Sequence, residues 1–256
     1  MKAKKSFGQH FLKDHEIARR IAESLQLTDQ YQHVLEIGPG KGMLTAHLLE
    51  LGYPLTVVEA DKDMVNYLNI HLPELRDHII SEDFLRLKLE DYFGTEPIGI
   101  IGNFPYNISS QILFRMLDYK HQIPELVGMF QMEVGKRVCS GPGSKEYGVT
   151  SVLLQAYYET EYLFTVDRLA FNPPPKVQSG VIRLTRKENQ DLGCDEKLFK
   201  RIVKQTFGQR RKMLRNTLKS FVKDAAILQD PFFQKRPEAL GLEEFVKLTQ
   251  MVEEER

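Results

Sequence analysis

The run Val34-Leu35-Glu36-Ile37-Gly38-Pro39-Gly40-Lys41-Gly42-Met43-Leu44-Thr45 constrains this chain more than any other stretch. An apolar strand enters a turn with glycine at every second position, and Thr45 onward reads as the following helix. Glycines let a backbone pass close to a ligand at the carboxyl edge of a parallel sheet, where open α/β folds bind small molecules. The spacing is G-x-G-x-G, not the G-x-G-x-x-G of dinucleotide binders, and Pro39 removes an N–H where pyrophosphate would need one. The period then repeats: Leu55-Thr56-Val57-Val58 ends in Glu59, and His78-Ile79-Ile80-Ser81 ends in Glu82-Asp83. Glu59 suits two ribose hydroxyls and Asp83 suits an adenine amino group. Singly, each carboxylate serves as well as a helix cap or a solvated rim. Three strand ends in register point instead to a nucleoside held without phosphates, of which S-adenosylmethionine (SAM) is the usual one.

A fourth strand end carries different chemistry. The apolar run Ile98-Gly99-Ile100-Ile101-Gly102 leads into Asn103-Phe104-Pro105-Tyr106. Asn-x-Pro is ordinary turn chemistry by itself. At the edge of a nucleoside site it reads as a grip on an exocyclic amino group. The Asn103 side-chain oxygen and the Phe104 carbonyl each accept one N–H, Pro105 stiffens the turn, and Tyr106 stacks on the base. Two acceptors draw the nitrogen toward sp3 geometry and free its lone pair without a charged base.

These motifs, with Lys5-Ser6-Phe7-Gly8-Gln9-His10-Phe11-Leu12 and Phe171-Asn172-Pro173-Pro174-Pro175-Lys176-Val177-Gln178-Ser179, resemble those of the ribosomal-RNA adenine N6,N6-dimethyltransferases, the KsgA/RsmA group. They occur in family order from Lys5 to about Leu242. The resemblance implies a SAM-dependent enzyme that dimethylates two adjacent adenosines near the 3′ end of 16S rRNA during small-subunit assembly. By the same resemblance the amino-terminal segment folds over the cofactor, with His10 and Leu12 touching SAM beside Gly38, Gly40, Glu59, Asp83 and Asn103. Two positions depart from the pattern: His10 stands where Asn is usual, and Phe104 where Leu is common, a swap expected to be tolerated because its carbonyl carries the role, with the larger ring free to reshape the pocket. Phe171, braced by the prolines, is a candidate for the second stacking face, with simple core packing as the other reading. Two relatives in fold offer rival functions: large-subunit rRNA adenine methyltransferases of the antibiotic-resistance type, and non-catalytic nucleic-acid-binding factors.

Formal net charge is zero over 256 residues, yet Lys197–Lys223 holds ten basic residues and no acidic one. Solvated helical faces usually mix signs, so this block reads as a surface for phosphate backbone, with Lys204, Arg210, Arg211, Lys212 and Arg215 as contacts. The amino terminus has no apolar core of a secretory signal, and no apolar stretch is long enough to span a membrane. Cys139 and Cys194 lack metal-ligand spacing, His15, His33, His47, His71, His78 and His121 are scattered, and no metal is expected. A cytoplasmic monomer with SAM as its cofactor and the small ribosomal subunit as its partner is the expectation, the oligomeric state being taken from the family.

Strands at 34–38, 55–59, 78–82, 98–102 and 126–131 alternate with helices at 43–52, 62–70 and 109–119. This predicts an α/β fold: a Rossmann-like, mainly parallel sheet. Residues 149–158 fit helix or strand, and 160–167 with 178–185 read as a terminal antiparallel pair. The polar linker after Arg186 precedes purely helical patterns. Two domains follow, 1–186 for the cofactor and 187–256 as a small all-helical RNA-binding domain.

Overall fold

The computed structural model describes residues 10–255, so the expectations for Lys5 to Gln9 lie outside the described residues. It divides into two units, one of residues up to Gly135 with Glu159–Arg186, the other of Lys136–Tyr158 with residues from Lys187 on.

In chain order the elements are β1 (Phe11–Leu12), α1 (His15–Ala22), β2 (His33–Ile37), α2 (Met43–Glu50), β3 (Leu55–Val58), α3 (Lys62–His71), β4 (Ile79–Ile80), α4 (Glu90–Phe93), β5 (Ile98–Asn103), α5 (Ser109–Asp118) and β6 (Glu125–Gln131). They continue with α6 (Met132–Cys139), α7 (Val149–Gln155), β7 (Tyr158–Val166), β8 (Phe171–Asn172), β9 (Ser179–Arg186), α8 (Glu196–Gly208), α9 (Leu214–Thr217) and α10 (Leu242–Glu254).

The main sheet of the first unit runs β4-β3-β2-β5-β6-β9-β7. Its first five strands are parallel, and β9 joins β6 antiparallel. β5 and β6 are buried from end to end apart from their last residues, the signature of strands covered on both faces. The one charge in β6, Glu125, is satisfied inside: its carboxylate accepts from the Gln26 and Leu27 amides and the Tyr31 hydroxyl. The chain winds outward from β2 through β3 to β4, then returns to place β5 on the other side of β2. That reversal is the switch point where such sheets open a crevice at their carboxyl edge.

A second, two-residue ribbon pairs β1 with β8, Leu12 opposite Phe171 and Phe11 opposite Asn172. Cross-strand partners share a face, so Leu12 and Phe171 both point into the core, at 6% and 1% exposure.

The second unit is helical. Asp195 caps α8, whose Leu198, Ile202 and Val203 are buried. Three short turns, Ala225–Gln229, Pro231–Gln234 and Pro237–Ala239, lead to α10. Residues 136–158, which the sequence places in the first domain, cluster here instead. The cause is long-range: the Phe207 ring lies against Tyr147 at 5.8 Å and Phe245 at 5.7 Å, and the Tyr147 hydroxyl donates to the Leu240 carbonyl. Within the segment, 149–155 is helix. Among the described residues no helix is long and apolar enough to cross a membrane.

Candidate active site at the carboxyl edge of the sheet

The crevice at the switch point is lined by the glycine loop, the ends of β3, β4 and β5, and residues 10–12. The loop conformation demands its glycines. Gly40 has φ +56°, and a Cβ there would stand 3.1 Å from the Phe11 ring; Gly42, which opens α2, has φ +80°. Glu59 holds the loop's shape, one carboxylate oxygen accepting from the Gly40 amide at 3.2 Å and the other from the Asp61 amide at 2.9 Å. Burial raises its pKa above the ordinary value, against the pull of those two amides. Each oxygen keeps a further lone pair for an incoming hydroxyl. Asp83 caps its own turn through the Leu85 amide and lines the same crevice.

Glu36 is a crevice-lining residue that sequence reasoning missed. It is 1% exposed, lines the crevice from within β2, and accepts the Thr45 hydroxyl at 2.6 Å. Burial pushes its carboxyl up to about 8, the Thr45 bond opposes this, and Glu59 adds to it. A glutamate inside the apolar run Val34–Ile37 was the available signal. Acidic side chains around a glycine turn suit hydroxyl, amino and cationic groups, and those that are ionised repel phosphates. The donor set therefore fits SAM. Among the described residues no group of three or more His, Cys, Asp or Glu is placed to hold a metal ion.

At the end of β5 the Asn103 amide has a fixed orientation. Its Nδ2 donates to the His10 carbonyl at 3.1 Å, which can only accept, so Oδ1 faces the other way. Tyr106 leans beside it, its hydroxyl 2.5 Å from the Ser179 hydroxyl and its pKa raised by burial. Ser179, fully buried, is a second missed residue.

Phe104 is among the residues that line the crevice, and the core accommodates its ring. Its ring is 1% exposed and packs edge-on against Phe130 at 5.0 Å. It fills space left by glycine: a Cβ on Gly128 would fall 2.1 Å from the ring, and one on Gly102 2.6 Å. Gly128, isolated in an apolar strand, carried the usual sign of close approach. Phe171 sits in the core, where the β1–β8 register turns it inward among Leu12, Ile21 and Val181.

The basic block divides too. Lys204, Arg211, Lys212 and Arg215 are exposed. Arg210 is tied to the protein instead, its guanidinium donating to the carbonyls of Ser144, Lys145 and Tyr147.

The sheet order and the site define the class: a Rossmann-like fold of the SAM-dependent methyltransferases. A dimethyladenosine transferase from Plasmodium falciparum is similar with a TM-score of 0.79 at 23% identity, over 96% of this chain and 98% of that one. The 23S rRNA methyltransferase ErmE is similar with a TM-score of 0.69 at 24% identity, over 95% and 99%. At such identities the likeness is one of fold. The chain belongs to the family "Ribosomal RNA adenine dimethylase", whose profile matches residues 1–235. Relatives called "Ribosomal RNA small subunit methyltransferase A" are 56% identical in Parabacteroides distasonis, over 97% of this chain and 93% of the relative, and 54% identical in Flavobacterium johnsoniae, over 99% and 97%.

Proposed function

We propose that the protein is a SAM-dependent methyltransferase that converts two adjacent adenosines near the 3′ end of 16S rRNA to N6,N6-dimethyladenosine during small-subunit assembly. The observation that carries this reading is the place of Asn103, an uncharged amide tied to the His10 carbonyl at the crevice that the glycine loop and Glu59 line. Relatives named for small-subunit rRNA methylation, matching nearly the whole chain, support the choice of RNA.

Glu59 holds the cofactor's ribose and Asp83 its adenine amino group, while Glu36 offers a buried oxygen to a cationic part. The bound cofactor supplies an electrophilic methyl group carried on a sulfonium sulfur. Asn103 Oδ1 and the Phe104 carbonyl accept the two N–H bonds of the target amino group and turn its lone pair toward that methyl. Tyr106 stacks on the base, which must be unpaired or flipped out for N6 to be reached. These residues act by orientation and fixed dipoles, with no charged base, and the surplus proton leaves to water. The monomethyl product turns its methyl aside and offers its remaining N–H for the second round. Lys204, Arg211, Lys212 and Arg215 meet phosphates. The protein acts as a monomer beside assembling ribosomes in the cytoplasm.

The test is transfer of labelled methyl from SAM to unmethylated small and large subunits in parallel, followed by digestion to nucleosides. Dimethyladenosine from small subunits alone is expected. Label in large subunits would assign a resistance-type activity, and SAM binding without transfer a scaffold role.

A further inference from the structure

The three strand ends that carry Glu59, Asp83 and Asn103 are not equally supported by the sheet. Asn103 ends β5, which is paired on both sides, and Glu59 follows β3, which lies between β2 and β4. Asp83 follows β4, a two-residue edge strand paired to β3 alone among the described residues. We propose that Arg115, on α5 and outside the crevice lining, is the positioning residue that holds the turn after β4 and so sets Asp83 against the cofactor's adenine. This rests on the role given above to Asp83.

The link runs through a short series of bonds. Arg115 Nη2 donates to the Leu87 carbonyl at 2.7 Å. The Leu87 and Arg86 amides donate in turn to the Asp83 carbonyl at 3.0 and 2.9 Å, and the Asp83 carboxylate accepts from the Leu85 amide at 3.0 Å. Phe84 and Leu85, inside this turn, line the crevice with Asp83. A second branch passes through Tyr119, whose hydroxyl accepts from Arg115 Nη2 at 3.2 Å and donates to Glu90 at 3.1 Å. The guanidinium also lies against the Tyr119 ring, 4.8 Å from its centroid. Segment 83–90 is thus held at two points from one helix.

Arg115 is placed for this reach and for little else. Its side chain is 25% exposed, and its carboxylate neighbour Asp118 stands 4.0 Å away. Nε is buried without a partner. An arginine kept for charge alone would turn that nitrogen out to water, so the bonds from Nη2 are what hold the guanidinium in place. Arg86 lies 3.9 Å from the Asp83 carboxylate, but at 89% exposure such a pair contributes little. The base of the reach is firm. α5 starts just after the Asn103–Tyr106 motif, with the Ser109 hydroxyl donating to the Tyr106 carbonyl, and Arg115 follows about 9 Å along its axis. One helix therefore starts at the motif assigned to the target amine and braces the turn assigned to the cofactor.

The experiment is calorimetry with S-adenosylhomocysteine, the demethylated cofactor, well below the melting temperature. The variants are Arg115→Met, Arg115→Lys, Asp83→Ala, and each Arg115 variant combined with Asp83→Ala. Melting temperature and steady-state methylation are read alongside. Arg115→Met keeps an apolar stem and removes the donors. It should weaken binding about tenfold, the scale of one lost bond from a charged donor. Its kcat at saturating SAM should stay within about twofold, as when only uniform binding is lost. Arg115→Lys, which keeps one donor, should fall between. Because the effect passes through Asp83, the double variants should bind no worse than Asp83→Ala alone. Unchanged affinity with a lower melting temperature would make Arg115 a packing residue and overturn the proposal. So would losses that add to that of Asp83→Ala, or an Asp83→Ala variant that binds as wild type does. Should Arg115→Met not fold, Arg115→Lys carries the same comparison. The calorimetry needs no RNA, so failure to methylate small subunits would remove the function proposed above and leave this result standing.

Discussion

The side-chain amide of Asn103 donates its N–H to the backbone carbonyl of His10, 93 residues earlier, at 3.1 Å. The bond uses one of the two Nδ2 hydrogens, and the proposed reading rests on Oδ1 as the acceptor. Asn103→Ala should therefore cut methyl transfer by about 100-fold or more, the usual cost of removing one preorganised group at a reacting centre. SAM affinity should stay within a few-fold by calorimetry. Asn103→Asp should fare no better, since a carboxylate cannot donate to His10. Turnover near wild type in either variant would remove the assignment.

Glu59 has two tasks, bracing the Gly40 amide and accepting ribose hydroxyls. Glu59→Ala should weaken SAM binding by about 10- to 100-fold, the scale of lost hydrogen bonds to a charged group. Unchanged calorimetric affinity would refute the ribose role.

Glu36 makes stability depend on pH in a definite direction. Its carboxyl lies at about 8 in the folded protein against an ordinary 4.5. Between those values the folded state holds a proton that the unfolded state has released. Stability from this group is therefore lost as pH rises from about 4.5 to about 8. Glu36→Gln keeps an acceptor for Thr45 and cannot ionise. Its melting temperature relative to wild type should rise by several degrees between pH 5 and pH 8.5, at about 2–4 °C per kcal/mol. A difference flat across that range would mean the folded carboxyl is not shifted.

The cations of α8 and the following turn should separate experimentally into two groups. Reversing Lys204, Arg211, Lys212 and Arg215 to Glu should weaken RNA binding. It should also flatten the slope of log affinity against log salt by about 0.7 for each phosphate that is no longer neutralised. Arg210→Ala should instead lower the melting temperature, because it strips donors from three carbonyls, and leave the slope unchanged. An altered slope in Arg210→Ala alone would reverse the division.

Gly128 and Phe104 form a matched pair. Gly128→Ala drives a methyl to 2.1 Å from the Phe104 ring and should destabilise by about 1–3 kcal/mol, the range for overpacking. The double variant with Phe104→Leu should recover part of that loss in denaturant unfolding. A double variant no better than Gly128→Ala would show that the ring is not what clashes.

The legible parts of the chain were those with local causes. Strand ends, glycine spacing and capping residues follow from the dihedral needs of the backbone, so β2, β3, β5 and β6 fall within a residue or two of expectation. What stayed hidden depends on partners far away in sequence. Arg210 looked like its neighbours until its carbonyl partners, more than 60 residues earlier, were known. Phe171 has the composition of a stacking ring, and only the pairing of β8 with β1 decides its face. The helix at 149–155 lies in a segment, Lys136–Tyr158, that clusters with residues from Lys187 on, and no window of local periodicity spans that distance.

The ribbon of β1 and β8 is only two residues long on each side. Yet it joins the residues over the glycine loop, Phe11 among them, to the start of the proline-rich loop that anchors His10. So short a seam holds few hydrogen bonds. The roof of one compartment and the side of the next hang from it together. The cover of the glycine loop and the first proline of the loop after β8 are thus tied through one pairing, Phe11 opposite Asn172.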